Sequence, residues 1–326
     1  MTTIEDYAFS NCYPVKITMP TTTISKVINS SVKESVKEIV LTDGKSIPEN
    51  AFLDCNSLYK VTLHEGLTTI SNGAFGNCYS LLSITIPSTV KGCGETSFQN
   101  CYKLVEVIDN SSRNIAQYAP YCIIQSTGES QVQYTDDGYA FIAYGDAYYL
   151  LGYVGEDTDL VLPQSYDESI YNIYRYAFFK SNLTSVSIPA VGDIGDYAFF
   201  DCASLESVTI GNSASYTIGT WAFCSCEKLS SLTIGSGVDT IKSEAFSGCN
   251  SLEEITLPST LNKLEKNVFR SCSSLASVVF DYAGEYGVSY SETTDPSSRE
   301  ALNIDNSVTN ATYLKSTYTS YFWYKQ

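Results

Sequence analysis

Residues 237–259 read GVDTIKSEAFSGCNSLEEITLPS, and this stretch decides the fold because it recurs along the chain. Close variants occupy residues 67–88 (LTTISNGAFGNCYSLLSITIPS), 191–212, 215–236 and 261–280. They share the skeleton I-x4-F-x2-C-x2-L-x2-V-x-I-P/G. The core phenylalanines lie at positions 9, 52, 75, 98, 178, 199, 223, 246 and 269, and their spacing in the regular runs is 21 to 24 residues. Such regular spacing is typical of a solenoid of stacked repeats.

Each part of the skeleton has a physical role. In A-F-x2-C-x2-L the apolar residues lie three apart, which predicts one face of a short helix or 3₁₀ turn. The tail L-x2-V-x-I alternates, which predicts a strand with Val and Ile on its inner side. The residue five before Phe supplies another buried contact. Since one repeat cannot bury its apolar face alone, we expect an α/β repeat protein, a right-handed solenoid with a parallel β-sheet on one face and short helices or 3₁₀ turns on the other.

The recurring A-F-x2-C-x2-L-x2-V-x-I-P motif resembles that of the BspA-type leucine-rich repeat proteins. The motif is seen in AFLDCNSLYKVTL (51–63), AFGNCYSLLSITIP (74–87), AFFDCASLESVTI (198–210) and AFSGCNSLEEITLP (245–258). The resemblance implies a bacterial cell-surface or secreted protein that adheres to a protein or glycan on a host or neighbouring cell. A structural scaffold, or an intracellular interaction protein without a specific host ligand, is the alternative.

The pattern also divides the chain. We expect an N-terminal repeat block over 1–108, which includes a degenerate unit at 20–41 with a longer helical stretch, and a C-terminal block over 170–280. Between them, residues 109–169 form an insertion in which DGYAFIAYGDAYYLLGYV predicts a β-hairpin at 139–154 with a Gly145-Asp146 loop. Residues 281–326 lose the period and are predicted to cap the last repeat. The first repeat begins at Ile4, which leaves no room for a preceding cap, so we expect an unusual start at Met1.

Composition excludes several classes of function. Lys and Arg total 19 against 36 Asp and Glu, a formal charge of −17, so nucleic acid is not an expected partner. The single histidine, His64, rules out a multi-histidine metal site, and we expect no metal, no cofactor and no catalytic centre. The segment MTTIEDYAFSNC (1–12) lacks the basic start and apolar stretch of a signal peptide. No apolar run approaches ~20 residues, so membrane insertion is not expected.

Eight of the eleven cysteines share one repeat position: Cys12, Cys55, Cys78, Cys101, Cys202, Cys226, Cys249 and Cys272. We expect a ladder of buried, reduced thiols, with a secreted disulfide framework as the alternative. Parallel neighbours in adjacent repeats lie ~4.8 Å apart. A disulfide instead needs facing Cβ atoms ~3.8 Å apart.

Two surfaces are candidates for ligand binding. A threonine lies between the two inward strand residues of most repeats, including Thr209, Thr233 and Thr256, and should face solvent. The hairpin concentrates aromatic side chains, which either pack against the solenoid or contact a partner. These are Tyr139, Phe141, Tyr144, Tyr148, Tyr149 and Tyr153. We expect the hairpin to contribute more to binding than the sheet, and its deletion to leave the fold intact.

Overall fold

The computed structural model describes residues 9–282, 284–292 and 295–326. The chain divides into two compact units, Met1–Gln133 and Tyr134–Gln326. Ile4, the predicted start of the first repeat, lies outside the described residues.

The first unit contains short strands and four short helical segments. The strands are β1 Lys16–Met19, β2 Glu38–Leu41, β3 Ser46–Ile47, β4 Lys60–Thr62, β5 Thr69–Ile70, β6 Ser83–Ile86, β7 Gly92–Cys93, β8 Glu106–Asp109 and β9 Ile124–Ser126. The helices are α1 Ile24–Val27 and α2 Ser30–Ser35, with 3₁₀ turns at Thr21–Thr23 and Ile115–Tyr118. The helices α1 and α2 fall in the degenerate unit, where the longer helical stretch was predicted.

The second unit is richer in strands. They are β10 Gln133–Tyr134, which crosses the boundary between the units, β11 Tyr139–Tyr144, β12 Ala147–Tyr153, β13 Asp159–Val161, β14 Tyr171–Ile173, β15 Ser185–Ile188, β16 Ser207–Ile210, β17 Tyr216–Ile218, β18 Ser231–Ile234, β19 Val238–Ile241, β20 Glu254–Leu257, β21 Lys263–Leu264, β22 Ser277–Phe280, β23 Tyr286–Ser289, β24 Glu300–Leu302 and β25 Phe322–Lys325. Helix α3 spans Ser307–Thr312, a π-helix spans Tyr313–Thr317, and a 3₁₀ turn spans Pro296–Ser298.

The predicted parallel sheet is confirmed. Strands β13, β15, β16 and β18 pair side by side in parallel, and their inward residues align in register, as in Val186, Val208 and Leu232. We call this sheet, together with the parallel pair β20 and β22 that packs beside β18, the main sheet; in the first unit β1, β2 and β4, and then β6, β8 and β9, pair in the same parallel manner. The alternating tail of each repeat therefore forms the strand that its sequence predicts.

A second parallel sheet was not predicted. In the repeats that the structure describes, the residue five before the phenylalanine lies in a short strand or a β-bridge, so that Ile47 pairs with Ile70, and Ile70 with Cys93. In the second unit Ile194 bridges Ile173 and Ile218 in the same way. Strands of two residues are too short for their alternation to be recognised in sequence. Because of this second set of strands, the protein is a β-solenoid with few helices.

The segments predicted as short helices or 3₁₀ turns form turns, and not helices, in the regular repeats. The residues two before and two after the phenylalanine adopt positive φ, as at Asn50 (55°) and Asp54 (67°), which a right-handed helix cannot accommodate. The amides of Asn50, Phe52 and Asp54 donate to carbonyl oxygens of the next repeat instead, as in the bond of 2.8 Å from Phe52 N to Ala74 O. Short local bonds, such as Leu53 N to Asn50 O and Cys55 N to Phe52 O, close the turns. Bonding between repeats thus replaces bonding within a helix.

The repeats of the first unit extend past residue 108, where the sequence placed the end of the block. Strand β9 pairs in parallel with β8, with Val107 opposite Gln125. The intervening turn lacks the Phe-Cys motif, so the sequence did not identify it as part of a repeat. Asp109 holds this turn, since its carboxylate accepts the amides of Ser111 and Ile115. The repeats resume at β13, earlier than residue 170.

The predicted hairpin is confirmed, with β11 and β12 antiparallel and Tyr139 opposite Tyr153. Gly145 has a φ of 61°, as the first residue of a type II′ loop requires. The expectation that the hairpin is dispensable is not supported. Strand β12 pairs in parallel with β14, and Phe141 and Leu150 are fully buried in the core of the second unit. The hairpin therefore closes one edge of the second sheet.

Residues 281–326 cover the other end of the second unit. Strand β25 pairs antiparallel with β21, placing Trp323 opposite Leu264, and β23 and β24 follow it. Asn310 in α3 donates its Nδ2 to the carbonyl oxygen of Val278 in the last strand of the main sheet, over 3.0 Å. The Trp323 side chain is 1% exposed, so this segment buries the last repeat's apolar surface.

Candidate binding surfaces

Seven of the eight ladder cysteines are buried. Six of them donate their thiol to the phenylalanine carbonyl of the preceding repeat, for example Cys78 to Phe52 O over 3.3 Å and Cys101 to Phe75 O over 2.9 Å. Cys12 is the exception, because it is exposed. The unit that follows Cys12 has helices in place of a Phe-Cys turn, so no matching repeat packs over it.

Burial keeps these thiols protonated. It raises the pKa of Cys55 to about 12, and that of Cys101 likewise, from an ordinary value of 9.0. None of the eleven cysteines, all of which lie among the described residues, forms a disulfide bond. A shallow groove in the first unit is lined in part by Glu49, Asn72 and Cys93, and burial raises the pKa of the Cys93 thiol to about 11. That thiol is therefore poorly suited to act as a nucleophile at neutral pH.

The structure separates the hairpin aromatics into two groups. Tyr139 and Phe141 are buried in the core, so the prediction that they contact a partner is wrong. On the inward face of the hairpin, the Phe141 ring packs on Tyr166 and Tyr171. Alternation along β11 and β12 decides this, because one side of the hairpin faces the repeats. Tyr144 is 49% exposed at the hairpin tip.

The other three hairpin tyrosines are half-buried. The Tyr148 hydroxyl donates to Asp167 over 2.6 Å, and the Tyr153 hydroxyl to Asp157 over 2.6 Å. These bonds to carboxylates raise the pKa of both tyrosines. Tyr149 packs edge-on against Tyr174, with ring centroids 5.7 Å apart.

The candidate threonines lie on the outward face of the main sheet in the second unit. Thr209 and Thr233 pair in register on neighbouring strands, and Thr256 occupies the same position in β20; all three are exposed. Valines take this position in the first and last strands, where Val161 is 68% and Val279 45% exposed. The result is an open sheet face of small, β-branched and hydroxyl side chains.

The first unit covers part of its own outward face. Glu106 and Ile108 point outward from β8, yet they are 0% and 1% exposed. The Glu106 carboxylate accepts hydrogen bonds from the Ser130 hydroxyl and from the amide of Gln131, 2.8 Å away. The segment around residues 130–132 is therefore fastened over this strand, whereas the threonine positions of the second unit remain exposed.

Sequence analysis missed a further surface on the turns of the second unit. We number positions in each repeat from its core phenylalanine. Position −2 carries an aromatic residue in three consecutive repeats and position +1 in the first two of them, and we call these residues the turn-face aromatic array: Tyr176, Phe179, Tyr197, Phe200 and Trp221. Tyr176 stacks on Tyr197 at 4.9 Å and Phe179 on Phe200 at 5.7 Å, while Trp221 packs edge-on against Tyr197 at 4.8 Å. All five side chains are half-buried.

The repeat itself imposes a strained backbone at position −2, since Glu244 also has a φ of 57° there. Position −2 has positive φ, with values of 61° at Tyr176, 58° at Tyr197 and 56° at Trp221. Asn50 and Gly73, which tolerate this conformation, stand there in the first unit. A bulky residue with positive φ is uncommon, and the left-handed conformation costs ~1–2 kcal/mol per residue. The signal in the sequence is the succession RYAFFKS, DYAFFDC and TWAFCSC, in which aromatic residues flank the core Ala-Phe pair.

The family follows from the repeat. A model of the BspA type leucine rich repeat region matches six copies, over residues 1–105, 30–127 and 171–286, which is well over half of the chain. The chain belongs to the BspA-type leucine-rich repeat family. This BspA-type chain is not significantly similar in sequence to any curated protein.

Several solved structures are similar to this BspA-type chain. A leucine-rich cell surface protein from Faecalibacterium prausnitzii A2-165 is 25% identical with a TM-score of 0.47, covering 77% of this chain and 61% of that one. A leucine-rich repeat protein of T. pallidum is 26% identical with a TM-score of 0.32, covering 46% and 61%. One from Bacteroides ovatus ATCC 8483 is 21% identical with a TM-score of 0.35, covering 74% and 72%. The chain spans about three-fifths of the length of the first two.

Among the described residues, no group of three or more His, Cys, Asp and Glu side chains is arranged to hold a metal ion. Within the same part of the chain, no helix has the length and apolar character needed to span a bilayer.

Proposed function

We propose that this BspA-type protein is a non-enzymatic protein of the cell surface or the secreted fraction that binds a protein on a host or neighbouring cell. The outward face of the main sheet in the second unit is the proposed contact surface, in place of the hairpin expected from the sequence, because two of the six hairpin aromatics are buried and three are half-buried. The proposal rests on the exposure of Thr209, Thr233 and Thr256 on the outward face of this sheet, while the inward side chains of the same strands pack in the core.

The chemistry of that face suits a broad contact. Its outward side chains are short, so a partner can approach the strands closely over several repeats. Ser185, Ser207 and Ser231 form a second outward row in register with one another, and they add hydroxyl donors and acceptors. In the first unit the outward side chains of Glu106 and Ile108 are already buried, and Glu106 bonds to the backbone of Gln131 in another segment of the same chain. Protein backbone therefore contacts this kind of sheet face within the chain itself.

The test is adhesion of microspheres coated with the full chain to cultured epithelial cells and to bacterial cells. In the variant T233K/T256K, two lysines stand on the sheet face. The matched control A203K/S274K adds the same charge at exposed turn positions. We expect the control to adhere like the unmodified chain and the sheet variant to lose about tenfold or more.

Each outcome decides one element of the proposal. Loss of adhesion after trypsin treatment of the cells supports a protein receptor, while loss after glycosidase treatment alone contradicts it in favour of a glycan. Equal adhesion by the sheet variant contradicts the assigned face. Failure of the unmodified chain to adhere to either cell type contradicts adhesion and favours a scaffold without a specific ligand.

A further inference from the structure

The outward face of the main sheet in the second unit carries acids and no bases. Glu254 begins β20, and Glu206 and Glu253 directly precede β16 and β20; all three side chains are exposed. In β13, β15, β16, β18, β20 and β22, neither the residue before the strand nor the two outward strand residues is a lysine or arginine. We call the three glutamates the acidic face.

The carboxylates of the acidic face are available to a partner. Among the described residues, none of them forms an ion pair or a hydrogen bond. The other acid on this sheet, Asp159, differs because it accepts the hydroxyl of Ser185. On the sheet of the first unit, Glu38 lies 2.9 Å from the Nζ of Lys16. Acids elsewhere on the outward strands thus have partners within the chain, and the acidic face has only solvent.

The first unit contains a glutamate of this kind with its ligand in place. Glu106 stands at position +8 of its repeat and begins β8, as Glu254 stands at +8 and begins β20. The Glu106 carboxylate accepts the Ser130 hydroxyl and, over 2.8 Å, the backbone amide of Gln131. The same hydroxyl accepts the amide of Val132 over 3.2 Å. A glutamate at this place in the sheet thus binds a serine hydroxyl and the backbone amide that follows it.

The side chains around Glu254 are short. Ser277 lies opposite Glu254 in β22, and Thr256 follows it on the same face. Val279, opposite Thr256, is 45% exposed and offers an apolar contact next to the carboxylate. A segment of another protein can therefore approach β20 and β22 closely at this point.

We propose, on the basis of the proposed function, that the acidic face binds an extended, basic segment of the partner protein. A serine or threonine hydroxyl of the segment and the backbone amide that follows it donate to Glu254, as in the first unit. Lysine or arginine side chains of the same segment pair with Glu253 and, two strands away, with Glu206. Charge complementarity supports this partner, because the acidic face lacks cations and the chain carries a formal charge of −17.

Charge also disfavours other occupants. Two copies of this chain each carry −17 and repel one another, whereas a basic segment is attracted. A neutral glycan supplies hydroxyl donors without positive charge. The experiment distinguishes both from a basic segment.

The probe is a peptide based on the segment that binds Glu106. Residues 127–134 read TGESQVQY, and the labelled peptide TGKSQVKY keeps the serine, the amide and the valine while adding two lysines. One comparison peptide, TGKAQVKY, lacks the hydroxyl, and a second carries a methyl group on the backbone nitrogen of glutamine. A third, TGESQVEY, reverses the charge. Fluorescence anisotropy measures binding to the full chain, with a neutral oligosaccharide as competitor.

The variants change charge without changing shape. Glu254→Gln removes the central carboxylate, and Glu206→Gln removes the one two strands away. Glu227→Gln makes the same charge change at an exposed turn position outside the sheet and serves as the control. Circular dichroism and the urea midpoint verify that each variant is folded.

We expect Glu254→Gln to bind TGKSQVKY about tenfold more weakly and Glu206→Gln about threefold more weakly, with Glu227→Gln within about twofold of the unmodified chain. The alanine and N-methyl peptides should bind about fivefold more weakly than TGKSQVKY. TGESQVEY should bind at least about tenfold more weakly.

Four results would overturn the site. They are failure of TGKSQVKY to bind, equal losses for Glu254→Gln and Glu227→Gln, full affinity of either the alanine or the N-methyl peptide, and displacement by the oligosaccharide. Self-association of the chain that Glu254→Gln abolishes would assign the face to a second copy instead.

The adhesion test separates this site from the proposed function. If T233K/T256K loses adhesion while no peptide binds the unmodified chain, the sheet face remains the adhesive surface and the basic segment is wrong. If TGKSQVKY binds through Glu254 while the chain adheres to neither cell type, the peptide site stands and the proposed function fails.

Discussion

The thiol of Cys249 donates a hydrogen bond to the carbonyl oxygen of Phe223, 3.3 Å away in the preceding repeat. Phe223 in turn stacks on Phe246, with ring centroids 5.3 Å apart. Each repeat is thus bound to the one before it by a ring contact and by a thiol that also satisfies a buried backbone acceptor. The ladder cysteine is more than a small apolar filler.

This bond changes what substitution of Cys249 should do. Cys249→Ala removes the sulfur and leaves the Phe223 carbonyl without its thiol donor, so we expect a loss of ~1–3 kcal/mol in the free energy of unfolding. Cys249→Ser keeps a donor within reach of that carbonyl and should cost less than alanine. Urea unfolding followed by tryptophan fluorescence measures both, with Cys224→Ser, outside the ladder, as the control. Equal losses for serine and alanine would show that the hydrogen bond does not contribute.

Thiol labelling should distinguish Cys12 from the rest of the ladder. In the native protein near pH 8 we expect Cys12 to react with iodoacetamide first, because it is exposed. Cys55, Cys78 and Cys249 should react only on unfolding, since burial raises the pKa of each thiol and blocks access. Peptide mass spectrometry after pulsed labelling identifies the order. Labelling of Cys249 as fast as Cys12 would contradict a buried ladder.

Alkaline pH should weaken the fold. Burial raises the pKa of Cys101 and Cys272 to about 12 from 9.0, and that of Tyr139 to about 12 from 10.0. The unfolded chain therefore ionises first, and the stability these groups contribute is complete below about pH 9 and declines as pH rises toward 12. Urea midpoints at pH 7, 9 and 10.5 should fall in that order.

A double variant isolates the thiol contribution to that decline. Cys101→Ala/Cys272→Ala should show a shallower dependence of the urea midpoint on pH than the unmodified chain, although its stability at pH 7 is lower. If the two profiles have the same slope above pH 9, the thiols do not carry the effect.

Phe246→Ala tests how the core is divided. Phe246 is fully buried between Phe223 and Phe269, so removing the ring should cost ~3–5 kcal/mol. Hydrogen exchange should accelerate first in the second unit, because repeats depend mainly on their neighbours. Val279→Ala, on the exposed face, should change stability by at most ~0.5 kcal/mol. Uniform acceleration across both units would contradict this division.

The hairpin offers a direct test of packing against exposure. Phe141→Ala should destabilise the second unit by ~3–5 kcal/mol, because its buried ring stacks on Tyr166 and packs edge-on against Tyr171. Tyr144→Ala should change stability by less than ~0.5 kcal/mol. Thermal unfolding by circular dichroism compares them. Comparable effects of the two would show that the hairpin does not close the core.

The sequence by itself determined the repeat. Its period, the core positions of Phe, Cys, Leu, Val and Ile, and the strand in each repeat tail are local patterns, because each repeat presents the same apolar side chains in the same order. The hairpin was also predictable, since Gly145-Asp146 and the alternating runs around it are neighbours in the chain. The repeat motif alone predicted the family.

The tertiary structure decided what happens between segments distant in sequence. Which hairpin face is buried depends on Tyr166 and Tyr171, and Glu106 is hidden only because Ser130 and Gln131 fold over it. The second sheet arises from pairs such as Ile47 with Ile70, each strand too short to show a period. The array of rings likewise forms only when repeats stack, because side chains more than twenty residues apart become neighbours through the solenoid's packing.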